Sequence, residues 1–353
     1  MAYPDFKVDP DFGRLETALR RGTPDRVPFL DLFIDDLVLA AIREAPFSLD
    51  PDQQAGERAE ALARLGYDGV PVSTDFRFPF QWVTATDTAA LAKGEREWVN
   101  ESRGDIETWE DFERYPWPEP SEESYLPMVR AAEGLCEGMK LVPTGPGGVL
   151  ENVMWLMGYQ PMSYAMADEP DLIQAMFDRV GETLVRVFDA MASHEAAGAV
   201  CLGDDMGFKT QTMISPADLR KYVFPWQRRI VDAVHAHGKP FILHACGNLE
   251  AVMDDLIDDV GIDAKHSFED VFIPMEEAKR KWGHRVALIG GLDVDRLSRG
   301  TPEQVRTRTR QVLQACMPGG GFVLGSGNSI PNYIPVENYL AMLEEGWSAG
   351  VYS

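Results

Sequence analysis

Cysteine, histidine and positive charge are all scarce in this chain of 353 residues. The four cysteines, Cys136, Cys201, Cys246 and Cys316, lie far apart. That spacing excludes a disulfide scaffold and a cysteine-rich zinc module. Lys and Arg number 33 against 57 Asp and Glu, leaving a net charge of −24. A surface so acidic excludes nucleic acid and anionic membrane as partners, since both need a basic face. No apolar run reaches the ~18 residues of a membrane span. No basic-then-apolar leader opens the sequence either, so the expectation is a cytoplasmic protein with reduced thiols.

What is present is a full complement of core-forming residues, 45% of the chain, arranged in a regular alternation. Apolar runs of strand length fall at 27–33, 68–74, 140–144, 199–202, 240–243, 263–266, 286–289 and 322–324. Helical patterns lie between them, over about 12–21, 50–65, 150–157, 170–195, 215–238, 301–316 and 336–349. Ser215-Pro216 is a good helix start, a capping hydroxyl followed by proline at the first helical position. Eight strands each followed by helical sequence predict an α/β fold, a (β/α)8 TIM barrel forming a single domain over 1–353. A doubly wound sheet would carry a glycine-rich phosphate loop after its first strand, where this chain has Ile34-Asp35-Asp36. Residues 76–121 break the rhythm. They are rich in aromatic and turn residues, with a β-hairpin expected around 87–103, and are read as an insertion or lid over the barrel mouth.

Active sites of such barrels form at the C-terminal strand ends. The polar residues predicted there include Asp31, Asp75, Asp204, Asp205, His244, Cys246, His266, Glu269, Asp293, Ser326 and Asn328, with Glu151 opening the helix after the third strand. The most telling pair is His244-Ala245-Cys246. Alternate residues of a strand share a face, so the imidazole and the thiol aim at one point, which is half of a zinc site. Candidate catalytic carboxylates are Asp75, Glu151, Asp204 and Asp205. Candidate substrate contacts are Phe76, Phe80, Trp155, His266, Asp293, Ser326 and Asn328.

Several motifs together resemble the uroporphyrinogen decarboxylase superfamily, which includes zinc-dependent corrinoid methyltransferases. They are Asp25-Arg26-Val27-Pro28, Ser215-Pro216, His235-Ala236-His237-Gly238-Lys239-Pro240, His244-Ala245-Cys246-Gly247, Gly290-Gly291-Leu292-Asp293 and Gly325-Ser326-Gly327-Asn328-Ser329-Ile330-Pro331. The resemblance covers nearly the whole chain. Two departures weigh against porphyrinogen decarboxylation. The decarboxylases' Arg-Gln-Ala-Gly-Arg segment is replaced by Phe33-Ile34-Asp35-Asp36-Leu37, whose acidity repels a polycarboxylate. Their histidine in the last strand's loop is replaced by Ser326.

The methyltransferase branch carries a matching His-x-Cys pair, so the resemblance implies zinc held by His244 and Cys246. It also implies a second cysteine after the last strand, where this chain has Asn328. The remaining ligands would then come from Glu151, Asp204, Asp205 or His266. The activity implied is methyl transfer between a small methylated substrate, such as a methoxylated aromatic, and a corrinoid (cobalamin) carried by a partner protein. Homodimers also occur in the superfamily. The competing expectations are a metal-free decarboxylase-like lyase using Asp75, and a barrel that binds a ligand without turnover.

Overall fold

The computed structural model describes residues 3–80, 82–86, 95–99 and 103–352. Nine strands occur among them: β1 (Gly69–Ser73), β2 (Trp82–Thr86), β3 (Glu95–Val99), β4 (Lys140–Thr144), β5 (Val200–Gly203), β6 (Phe241–His244), β7 (Ala264–His266), β8 (Ala287–Leu292) and β9 (Phe322–Ser326). Seven form one parallel sheet in the order β1-β4-β5-β6-β7-β8-β9, which is chain order. Helices connect successive parallel strands, as a right-handed crossover topology demands. Of the hairpin expected over 87–103, most residues lie outside the described set. β2 and β3 nevertheless pair antiparallel, with Trp82 opposite Val99 and Thr86 opposite Glu95.

The strand expected at 27–33 does not form. Its place is taken by an isolated parallel bridge between Phe29 and Leu324, in which Leu324 donates to the Pro28 carbonyl and Leu30 donates to that of Leu324. Pro28 has no N–H to offer a ladder, which keeps this stave short. It still curls the sheet toward closure. The Arg26 guanidinium reaches the Gly66 carbonyl, and Phe29 packs edge-on to Tyr67, just before β1. The architecture is an α/β, TIM-barrel-like curl of seven strands and one short stave.

Two buried layers result. Leu30, Val142, Cys201, Ile242, Ala264, Ala287, Ile289 and Val323 fill the inside of the sheet, joined by Phe12, Leu15, Ala18 and Leu19 of the first helix, Phe12–Leu19. That helix plugs the end where the strands begin. The larger core lies between sheet and outer helices. Helix starts follow local chemistry: Asp50 caps Pro51–Arg64 and Thr301 forms a capping box with Gln304 before Pro302–Cys316. The long helical run after Ser215 contains a π-turn over Leu219–Val223 before continuing as Phe224–Ala236. No helix among the described residues is long and apolar enough to cross a membrane.

Register positions the site. Cys201 pairs with Ile242 and Ile242 with Ala264; two residues on, Gly203 pairs with His244 and His244 with His266. Cys201, Ile242 and Ala264 point into the barrel, so His244 and His266 do too, one layer nearer the C-terminal mouth.

Candidate functional site

Three ligand atoms converge at the ends of β5 and β6. One atom each from Asp205, His244 and Cys246 lies within 4.8 Å of the others. Cys246 Sγ is 3.5 Å from His244 Nε2, and Asp205 Oδ1 is 3.8 Å from the same nitrogen. Asp205 Oδ1 also accepts the Cys246 backbone N–H at 2.7 Å, tying the two loops together. The loops can approach because both carry glycine at the crossing. Gly247 has φ +84°, and a Cβ there would lie 2.1 Å from the Gly207 carbonyl oxygen.

Around this triad sit groups that orient it. Asn328 Nδ2 lies 3.1 Å from Cys246 Sγ, so the loop after β9 does reach the centre, with an amide where the resemblance expects sulfur. Ser267 Oγ approaches the same sulfur at 3.5 Å from a left-handed backbone, φ +80°, a costly conformation for a non-glycine residue. His266 Nδ1 meets His244 Nδ1 at 2.8 Å. Lys265, 2% exposed, donates to the carbonyls of Ala245 at 2.8 Å, His266 at 2.5 Å and Ser267 at 3.1 Å. All three ammonium hydrogens are thereby used to brace the chain ends after β6 and β7.

Burial sets the protonation states. It pulls His244 down to about 4, so the imidazole is neutral and can offer a lone pair. Burial first, and the Asp205 charge second, push the Cys246 thiol up to about 12. Burial lowers Lys265 to about 8 against the pull of its anionic neighbours. Glu151 is raised well above the ordinary carboxyl range by burial first and then by the charges of Asp205 and Asp204.

The other expected site residues divide sharply. Asp204 is fully buried, and burial raises it to about 6. Its oxygens accept the backbone N–H groups of Val149, Leu150 and Glu151 and the Gln227 side-chain amide. It caps the helix Val149–Met157, a structural station that leaves no lone pair facing the mouth. Asp293 likewise caps Val294–Arg299, accepting from Asp295, and holds the Asp270 N–H with its other oxygen. Ser326 is buried; its N–H donates to Asp31 and its carbonyl faces His266. His266 has no exposed surface and its Nδ1 is turned to His244. Phe76 is buried edge-on against Phe78, inside the core instead of on a binding wall. Asp75 is exposed just past β1, with its N–H on the Ser124 carbonyl.

Phe80 and Trp155 do meet, their ring centroids 5.2 Å apart, and Trp155 stands one turn beyond Glu151 on the same helix face. Tyr159 and the exposed Phe208 form a second edge-to-face pair, 5.9 Å apart. Sequence reasoning missed Lys265 as part of this site. Its signal was a charged residue inside a strand otherwise flanked by Ala264 and His266.

With this geometry in hand, comparison with known proteins defines the class. The profile described as Uroporphyrinogen decarboxylase (URO-D) matches residues 48–346, and the chain belongs to that family. It is 28% identical over 235 residues to the methylated-thiol--coenzyme M methyltransferase of Methanosarcina mazei, covering 64% of this chain and 59% of that protein. It is 32% identical over 169 residues to the uroporphyrinogen decarboxylase of Streptomyces avermitilis, covering 47% of this chain and 44% of that one. The matches thus span about half the length of these curated relatives. Among solved structures, a methyltransferase from Methanosarcina mazei shares the fold, with a TM-score of 0.71 at 19% identity, over 94% of this chain and 97% of that one.

Proposed function

We propose that this chain is a zinc-dependent methyltransferase that moves a methyl group between a small methylated substrate and a corrinoid held by a partner protein. The observation that carries the reading is the convergence of Asp205, His244 and Cys246 at the strand ends. One oxygen, one nitrogen and one sulfur suit zinc, and three protein donors leave a fourth position for a substrate atom, as in catalytic sites. A zinc ion there would favour the anionic form of a bound thiol or polarise an ether oxygen. The activity named for the Methanosarcina mazei relative supports methyl transfer as the reaction class.

The chain's own residues supply the rest. Asp205, His244 and Cys246 would hold the ion, and Asn328 would stand beside the thiolate as a hydrogen-bond donor. Glu151, whose carboxyl burial and the charges of Asp205 and Asp204 hold well above the ordinary range, would give a proton to an oxygen leaving group. The contact of Phe80 with Trp155, which stands on the same helix as Glu151, supports a planar, methoxylated aromatic as substrate. A single thiolate among oxygen and nitrogen donors also favours an oxygen leaving group over a sulfur one.

The test is equilibrium dialysis against zinc with elemental analysis, alongside methyl transfer from a methoxylated arene to cob(I)alamin. In that reaction the methyl carbon–oxygen bond breaks, its electron pair stays on the oxygen, which takes up a proton, and cobalt supplies the pair for the new carbon–cobalt bond, passing from I to III. Wild type should retain about one zinc ion per chain. Cys246→Ser and His244→Ala should each lose both metal and transfer. Full transfer with unchanged zinc in both variants overturns the assignment, and carbon dioxide release from a carboxylated substrate by metal-free protein would favour lyase chemistry instead.

A further inference from the structure

We propose that His266 is a positioning residue that fixes the tautomer of His244, leaving His244 Nε2 unprotonated and aimed at Cys246 and Asp205; the inference deepens the zinc reading and rests on it. Two ring nitrogens 2.8 Å apart, His244 Nδ1 and His266 Nδ1, need one hydrogen between them. Which ring carries it follows from the far side of His266. There Nε2 lies 3.4 Å from the Ser326 carbonyl oxygen, an atom that can only accept. The hydrogen of His266 is therefore on Nε2. An imidazole with no exposed surface, next to the buried ammonium of Lys265, is neutral and has only one hydrogen. His266 Nδ1 is consequently a lone pair. The hydrogen in the shared bond belongs to His244 Nδ1, and His244 Nε2 is left bare on the side facing the sulfur.

The orientation is anchored deep in the barrel. The Ser326 N–H donates to Asp31 Oδ1 at 2.8 Å. Asp31 Oδ2 accepts the Tyr67 hydroxyl at 2.6 Å, and Tyr67 shares a hydrogen bond with Tyr339 at 2.8 Å. Every member of this train is buried. The residue whose carbonyl reads the His266 hydrogen is thus anchored through its own N–H to a carboxylate backed by two phenols, none of which touches the metal triad. Lys265 fixes the other end, through the carbonyls of His266 and Ala245 on either side of the imidazole pair. A histidine buried merely to fill space would need no such directional chain. A ligand that must present one particular nitrogen needs one, because a metal takes the lone pair and the opposite nitrogen must keep its hydrogen.

The inference is read without turnover. In metal-free wild type labelled with 15N in the imidazole rings, long-range 1H–15N correlation should show His244 with its hydrogen on Nδ1 and Nε2 unprotonated. Hydrogen on Nε2 overturns the proposal. Zinc competition with a chromophoric chelator gives the second reading. His266→Phe, which offers no acceptor, should weaken zinc binding by about 10–100-fold. His266→Asn, whose amide oxygen can accept at the Nδ1 position, should restore most of it. Equal affinity in wild type and the folded Phe variant overturns the proposal too. The failures are separable: the expected tautomer in a wild type that binds no zinc leaves the His266 assignment standing and removes the metal reading. Zinc bound with the opposite tautomer does the reverse.

Discussion

Asn328 occupies the spot where a second sulfur would complete a softer site, and its amide nitrogen lies 3.1 Å from Cys246 Sγ. Restoring the sulfur is an informative change. Asn328→Cys should tighten zinc binding and, in cobalt(II)-substituted protein, strengthen the thiolate-to-metal absorption, because two thiolates select soft or borderline ions more strongly than one. An unchanged cobalt spectrum would show that the loop after β9 does not contribute to the metal's surroundings. His244 and Cys246 were legible in the sequence because strand alternation alone makes them converge. The oxygen donor was not. Asp204 and Asp205 are adjacent, and only the tertiary course of the loop decides which carboxylate caps Val149–Met157 and which turns to His244. The bracing role of Lys265 was equally hidden, since it depends on three carbonyls from two loops.

At the level of elements, the helix Val149–Met157 is held to β5 by its cap. Gly148 permits this, because a Cβ there would fall 2.0 Å from Asp204 Cγ. Gly148→Ala should cost about 1–3 kcal/mol through the forced shift, measured by urea unfolding, and should displace Glu151 from the triad. At the other end of the neighbouring strand, Asp263 Oδ2 accepts both the Phe241 N–H and His235 Nε2. The Asp263 hydrogen bond, the largest favourable cause, raises His235 above its ordinary value. The folded state therefore prefers the protonated ring. Its contribution is complete below the unfolded value and fades as pH rises through the higher folded one. The stability gap between wild type and His235→Ala should accordingly be wider at acidic than at alkaline pH in paired urea titrations; a constant gap would contradict this linkage. Seven of the eight expected strands appear near their expected ranges; six hold buried Val, Ile or Leu over four to six residues, which leave little choice, while β7 is the short Ala264–His266. The first fails for a local reason, Pro28, and short polar helices such as Met275–Trp282 escaped because their apolar stripe is only three residues deep.

Over the whole molecule, the barrel is sealed at opposite ends by different means. The mouth is polar and chemically equipped. The base is closed by the helix Phe12–Leu19 and by charge: Arg14 bonds Asp68 at 2.5 Å and Asp25 at 2.6 Å, and Arg26 lies 3.4 Å from Asp68. Asp68 has no exposed surface. Arg14→Met would break the shorter of the two ion pairs of that carboxylate, leaving Arg26 at 3.4 Å as its remaining ion pair, and should destabilise the fold by about 3 kcal/mol, visible as a fall in the urea midpoint. Because this cluster stands at the far end of the barrel, zinc affinity of the folded variant should be unchanged, which separates scaffold from site.

The ammonium of Lys265 has every hydrogen engaged and nearly no surface. Reagents that alkylate amines by reductive methylation must reach a free lone pair, so this side chain should survive treatment that modifies its exposed counterparts. It would become reactive only when the two loops it braces come apart, making its labelling rate a chemical clock for the opening of the mouth.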